Sequence, residues 1–137
     1  MNADTFLNSM IDTGTTYAFF PTKIAEEIFA KLGVKTLKED QGPGTPKITW
    51  SLCPDGKTAP ELSVTIGTIK EPFIISSSNA GAWNLEQGCR LSIIGTSSLD
   101  NSQLAILGAA FLKNVHFVMD RGLYKMGFAQ RIIGADG

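Results

Sequence analysis

Met10-Ile11-Asp12-Thr13-Gly14-Thr15-Thr16 decides how the rest of this sequence is read. Two apolar residues run into one carboxylate. A small flexible turn follows, then two hydroxyls. Met10 and Ile11 close a strand directed into the protein, and Gly14 supplies a tight turn that a bulkier residue would resist. A carboxylate at the end of a buried strand costs free energy unless something there uses it. Asp12 is therefore the first candidate for chemistry. The local alternative is an Asx-type turn, a common use of Asp-x-Gly at a strand end.

Upstream of Asp12, residues 5–12 read as that strand. Downstream, Thr16 to Phe20 is aromatic and β-prone and predicts a second strand. Pro21-Thr22 opens the one clear helix, with Ile24, Ile28, Phe29 and Leu32 on one apolar stripe and Gly33 as its stop. Lys35 to Lys47 is polar and contains Gly42-Pro43-Gly44. Strand-like sequence resumes directly after it, so it reads as a surface loop. Thr49 to Cys53 reads as a strand and Pro54 to Lys57 as a turn. Leu62 to Gly67 alternates as a half-buried strand. Ile69 to Ile75 reads as a strand interrupted by Pro72. Ser76 to Gln87, with Trp83, reads as polar surface, and Arg90 to Gly95 as a strand. Ser97 to Gln103 is a loop. Leu104 to Gly108 suits a strand buried on both faces, and Ala109 to Lys113 a single helical turn. Val115 to Asp120 and Leu123 to Ala129 make a closing hairpin. Many short strands with one real helix predict a mostly β fold.

Composition narrows the function. The 137 residues suffice for one domain with a core, and 43% hydrophobic with 18% charged residues is ordinary globular composition. Net charge is -1, without a basic stripe, which argues against nucleic acid as a partner. No apolar run nears the roughly 20 residues that cross a bilayer, so no membrane partner is expected. The first ten residues have neither the basic nor the apolar region of a secretory signal, and the sequence reads as beginning inside a longer product. Cys53 and Cys89 fit one long-loop disulfide, and they fit two buried thiols equally well. Metal ligands are too few for zinc, and no cofactor is implied. His116 is the single histidine. It falls on the outward face of its strand, and no Ser or Cys motif accompanies it for a triad. Asp120 reads as a turn former. Asp55 and Asp100 are loop acids to which the sequence assigns no partner.

Taken together, three segments resemble the pepsin-like aspartic proteases. Ile11-Asp12-Thr13-Gly14-Thr15-Thr16, followed by Pro21 and a helix, resembles their active-site segment. Ala105-Ile106-Leu107-Gly108-Ala109-Ala110-Phe111-Leu112 is similar to their apolar-apolar-Gly segment. Phe117-Val118-Met119-Asp120-Arg121 with Met126-Gly127-Phe128-Ala129 resembles their closing hairpin. The three stand in family order across nearly the whole chain. Their order implies that residues 1–137 are a C-terminal lobe: mostly β, with the pepsin-like acid protease fold, partial at its front, with one main helix. The resemblance also implies a Cys53–Cys89 disulfide, since both cysteines stand where that lobe carries its bridge. From Cys53 to Gly67 the sequence is nearer the fungal and animal enzymes than the plant ones. Departures are visible too. There is one Asp-Thr-Gly, and the N-terminal lobe with its aspartate and flap tyrosine is not in the sequence. Ala109 stands where many relatives carry Asp.

The resemblance implies an aspartic endopeptidase. That chemistry needs two adjacent carboxylates sharing a proton, one activating water and the other polarising the carbonyl. Asp12 would be one of them. The other would come from an N-terminal lobe on a separate chain or, less favoured, from a second copy of this chain. Thr13 would turn its hydroxyl toward the partner loop, and Gly14 would present its amide to the carboxylates. Thr15 would bond the outer oxygen of Asp12, and Thr16 would face the substrate, an extended peptide with apolar side chains. Gly108 would lie beside the Asp12 loop. A lone monomer would be inactive. The expected compartment is secreted, vacuolar or lysosomal. The rival from another class is a pepsin-fold binding module or inhibitor-like protein that does no catalysis.

Overall fold

The computed structural model describes residues 7–84 and 88–132. In chain order the elements are β1 (Asn8–Ile11), β2 (Ala18–Pro21), α1 (Thr22–Leu32), β3 (Leu37–Glu39), β4 (Ile48–Trp50), β5 (Leu62–Val64), β6 (Phe73–Ile75), α2 (Ser77–Ala80), β7 (Gly81–Asn84), β8 (Gly88–Leu91), β9 (Ile93–Thr96), β10 (Leu104–Leu107), α3 (Ala109–Leu112), β11 (Val115–Asp120) and β12 (Lys125–Gln130). A short 3-10 turn, Ser97–Leu99, lies between β9 and β10. Among the described residues the regular elements are mostly strands, and α1 is the one helix longer than a turn, consistent with a partial pepsin-like lobe.

The main sheet has six strands in the order β1-β10-β2-β9-β4-β3. β10 lies between β1 and β2, parallel to β1 and antiparallel to β2. β2 runs parallel to β9, and β9 antiparallel to β4. Three two-stranded sheets complete the fold: β5 with β6, β7 with β8, and β11 with β12.

The helix follows its sequence signals. Pro21 is the residue before the first helical turn, and Gly33 ends α1 in a left-handed conformation at φ 68°. Phe29 is fully buried, whereas Ile24, Ile28 and Leu32 are half-buried. The closest approach to the sheet is instead at Ala25, fully buried against Gly95 of β9. A second centre of packing joins three rings. Phe73, Phe111 and Phe128 stand with centroids 6.1–6.4 Å apart, linking β6, α3 and β12. Full burial of a ring such as Phe111 contributes about 2 kcal/mol.

Several expectations need correction. The loop from Lys35 to Lys47 contains β3, which gains its ladder by pairing Leu37 with Trp50; sheet-edge pairing of this kind leaves little local signal. The stretch from Ser76 holds α2 and β7 rather than only polar surface; its last three residues, 85–87, and the side chain of Trp83 lie outside the described residues, as does the start of the first strand at residues 5 and 6. Ile69 to Pro72 hold no strand, Gly67 and Thr68 forming a turn just before them, and β6 begins only at Phe73. The predicted single strand from Arg90 to Gly95 is two, broken at Ser92, so that β8 and β9 join different sheets. β10 alternates instead of being buried throughout: Ala105 and Leu107 are buried, Leu104 and Ile106 half-buried.

Candidate active-site half

Asp12 follows β1 directly, and its amide donates to the Leu107 carbonyl at 3.2 Å. Because β10 separates β1 from β2, the loop from Asp12 to Tyr17 must cross over the end of β10. Gly108 occupies that crossing. A Cβ there would overlap the carbonyl oxygens of both Thr15 and Tyr17, so only glycine lets the two backbones meet. Beyond it, the Ala109 amide donates to the Thr15 carbonyl at 2.7 Å and the Ala110 amide to the Thr16 carbonyl at 3.0 Å. The first amides of a helix have no partner inside it. Here they hold the loop.

Within the loop, the Gly14 amide donates to Asp12 Oδ1 at 2.9 Å, and the Thr15 hydroxyl makes a short hydrogen bond to Oδ2. The Thr15 bond is the larger cause and the Gly14 bond the second, and together they hold the Asp12 carboxyl below the usual aspartate value of 3.8. Donors to the charged form favour it. Asp12 is half-buried, Thr15 likewise, and Thr13, Gly14 and Thr16 are exposed. The loop thus presents at the surface a carboxylate whose charged form two donors favour, on a backbone fixed from below.

A family profile described as eukaryotic aspartyl protease matches residues 2–131. The chain belongs to that family. Among curated relatives of this aspartyl protease chain, a probable aspartic-type endopeptidase of Trichophyton verrucosum (strain HKI 0517) is 30% identical over 121 residues, covering 88% of this chain and 27% of the relative. Pepsin-2B of Gadus morhua is 28% identical over 123 residues, covering 88% of this chain and 34% of the relative. A second probable aspartic-type endopeptidase, from Arthroderma benhamiae (strain ATCC MYA-4681 / CBS 112371), is 27% identical over 121 residues, 88% of this chain and 30% of the relative. The chain therefore spans about a third or less of the length of these relatives.

Cys53 and Cys89 form the disulfide, 36 residues apart in sequence, with Cα atoms 5.4 Å apart. Such a bridge fits an oxidising compartment. In the chain-entropy description, closing a loop of that length stabilises by about 4 kcal/mol. It joins the turn after β4 to β8 and packs against Gly81 at the start of β7. His116 is exposed, and Asp120 accepts from the Gly122 and Leu123 amides as a turn former should.

The two aspartates left without partners do have them. Asp55 accepts from the Lys57 and Thr58 amides within its own turn. Asp100 accepts from the Thr22 amide at 2.7 Å, capping α1 from 78 residues away because Pro21 offers no side-chain cap. Asn114 was not singled out in the sequence. It is fully buried; its Oδ1 accepts from Ser76 and Asn79, and its Nδ2 donates to the Ala110 and Phe111 carbonyls. Its backbone carbonyl takes the Arg131 amide and the Gln130 side chain, so one residue ties α2, α3 and the end of β12 together. An Asn one residue beyond a lysine that ends a helical turn is no signal on its own. Among the described residues, no group of His, Cys, Asp and Glu could hold a metal, and no helix is long and apolar enough to cross a membrane.

Proposed function

We propose that this chain is one half of an aspartic endopeptidase, hydrolysing peptide bonds with Asp12 and a second carboxylate supplied by a partner lobe. The supporting observation is the Asp12 carboxylate itself. Its charged form is favoured by Thr15 and Gly14, and it lies at the surface, on a loop locked by Gly108 and α3. One ionised carboxylate can take a proton from water but cannot also donate one to the carbonyl oxygen. A second carboxyl brought within hydrogen-bond distance could not ionise as readily beside the first, and it would carry the shared proton. Water, activated by the charged member, then attacks the peptide carbonyl, and the protonated member polarises its oxygen. Gly14 keeps the backbone close to the carboxylates. Thr13, exposed beside Asp12, faces the incoming loop, and Thr16 faces the peptide. No cofactor enters.

The partner surface is supported by the hairpin of β11 and β12. Its core-facing side starts at buried Val115 and half-buried Phe117 and Phe128, then runs outward to Met119 and Met126, which are 58% and 55% exposed. An apolar face that leaves the core and stays uncovered marks an association surface. An N-terminal lobe on a separate chain is the favoured occupant, and a second copy is the lesser one. A secreted, vacuolar or lysosomal setting accords with the disulfide. The test is cleavage of an unfolded protein at acid pH, with and without pepstatin. The chain alone should be inactive, and addition of an N-terminal lobe should restore pepstatin-sensitive cleavage. Cleavage that survives Asp12→Asn removes the mechanism. A folded complex that binds peptides without cutting them favours the binding-module reading.

A further inference from the structure

We propose that Asn114 is a positioning residue for Asp12, holding the one-turn helix α3 in the place from which its first amides fix residues 12–17. The inference rests on the hydrolytic reading above for what the carboxylate is used for. The route is a short series of hydrogen bonds. Asn114 Nδ2 donates to the Ala110 carbonyl at 2.8 Å and to the Phe111 carbonyl at 3.2 Å. The Ala110 amide donates to the Thr16 carbonyl at 3.0 Å, and the Ala109 amide to the Thr15 carbonyl at 2.7 Å. Thr15 in turn gives its hydroxyl to Asp12 Oδ2. Ala110 is the relay: Asn114 holds its carbonyl, and its amide holds the loop.

The length of α3 makes this support necessary. It has four residues, Ala109–Leu112. A helix of one turn gains little from its own ladder, and its last carbonyls have no partner inside it. Asn114 takes two of those carbonyls with one side chain. The other side of the carboxamide is anchored as well. Oδ1 accepts from the Ser76 amide at 3.0 Å, the Ser76 hydroxyl at 3.2 Å and Asn79 Nδ2 at 3.0 Å. α3 is thereby braced against α2 and the residue before it, through a side chain that is fully buried.

The residue type follows from this arrangement. Two donors must meet α3 and an acceptor must meet Ser76 and Asn79, in a closed space. A carboxamide carries both. An ionised aspartate keeps the acceptor and has no donor, serine offers one hydroxyl, and glutamine brings a further methylene into a packed site. A residue that only stopped the helix could leave Oδ1 in water, whereas this one commits it to α2. The backbone of Asn114 makes a separate connection. Its carbonyl accepts from the Arg131 amide at 2.8 Å and from Gln130 Nε2 at 3.0 Å. Replacing the side chain therefore releases α3 and leaves the anchorage of the hairpin in place.

The test compares Asn114→Ala with Ser51→Ala. Ser51 is fully buried too, and its hydroxyl bonds the Lys35 carbonyl at 2.7 Å, with no hydrogen bond to α3 or to residues 12–17 among the described residues. In the chain alone, carboxyl NMR should show Asp12 titrating closer to the ordinary 3.8 in Asn114→Ala. The Ala109 and Ala110 amides should exchange at least about tenfold faster. Ser51→Ala should change neither. With the partner lobe present, Asn114→Ala should lower kcat about tenfold and keep KM within about twofold. Equal movement of Asp12 in both variants, or an unmoved Asp12 or kcat in a folded Asn114→Ala, overturns the inference while leaving the hydrolytic reading intact. Should Asn114→Ala fail to fold, Asn79→Ala removes one donor to Oδ1 and should move the same signals the same way, and an unmoved Asp12 there overturns the inference equally. A moved Asp12 titration in Asn114→Ala, where the unmodified complex cleaves nothing, sustains the positioning role and removes the hydrolytic reading instead.

Discussion

Asp12-Thr13-Gly14 and Asp120-Arg121-Gly122 share a pattern and fold alike at close range. In each, the aspartate Oδ1 accepts the glycine amide two residues on, at 2.9 Å in both. Asp40-Gln41-Gly42 makes a third such turn, at 3.1 Å. The local interpretation of Asp-x-Gly as an Asx turn is therefore correct for all three, and it distinguishes none of them. The difference lies in what surrounds the turn. Asp120 has both of its bonds within its own hairpin tip. Asp12 gains the Thr15 hydroxyl on its other oxygen, and its loop rests on a strand and a helical turn from the far end of the chain. A three-residue motif makes a turn. Making a site takes a scaffold that fixes the turn against something else.

The sharpest way to break this comparison is to substitute both aspartates. With the partner lobe present, Asp12→Asn should lower cleavage at least about a thousandfold, and Asp120→Asn should leave it within about twofold, by steady-state assay at acid pH. Comparable losses at both would sink the distinction. The scaffold is tested next through the glycines. Gly108→Ala drives a methyl into two carbonyls and should cost about 3 kcal/mol or more in urea unfolding. Gly122→Ala meets only Asp120 Oδ1 at 3.4 Å and should cost under about 0.5 kcal/mol. A smaller effect is expected at Asp100, an aspartate used across the fold without any chemistry: Asp100→Ala removes the cap of α1 and should cost about 1 kcal/mol with cleavage unchanged. The least effect is a titration. Thr15→Val should move the Asp12 carboxyl up toward 3.8, as followed by carboxyl NMR in the chain without its partner. The sign follows from the direction of the shift. A carboxyl lowered on folding stabilises the native state above its unfolded value and loses that contribution as pH falls through the folded value. Thr15→Val should therefore flatten the acid limb of the stability curve.

Much of this was legible from the residues. α1 announced itself by Pro21, its periodic apolar positions and Gly33, all local signals. The closing hairpin and the turn at Asp120 were local as well. β3 was not legible, because Leu37 to Glu39 becomes a strand only by pairing with Ile48 to Trp50. The break at Ser92 went unseen because the residues on both sides are strand-like, and only the sheet they join differs. Asp12 stood out as an acid after an apolar pair, although the strand before it is not the buried one expected, Asn8 to Met10 being exposed and Ile11 half-buried. The cap at Asp100 and the hub at Asn114 did not, since each depends on partners dozens of residues away. Spacing reports what the chain does to itself within a few residues, and those two residues act across the fold.

The seating of Gly108 beneath Thr15 also sets an order of events. Residues 12–17 are made before the pieces that shape them, Leu104 to Ala110, which follow some ninety positions later. A product cut short ahead of Leu104 holds every atom of the acidic loop and none of its mould. The acidic loop therefore takes its final shape only once Leu104 to Ala110 have been made and have packed beneath it.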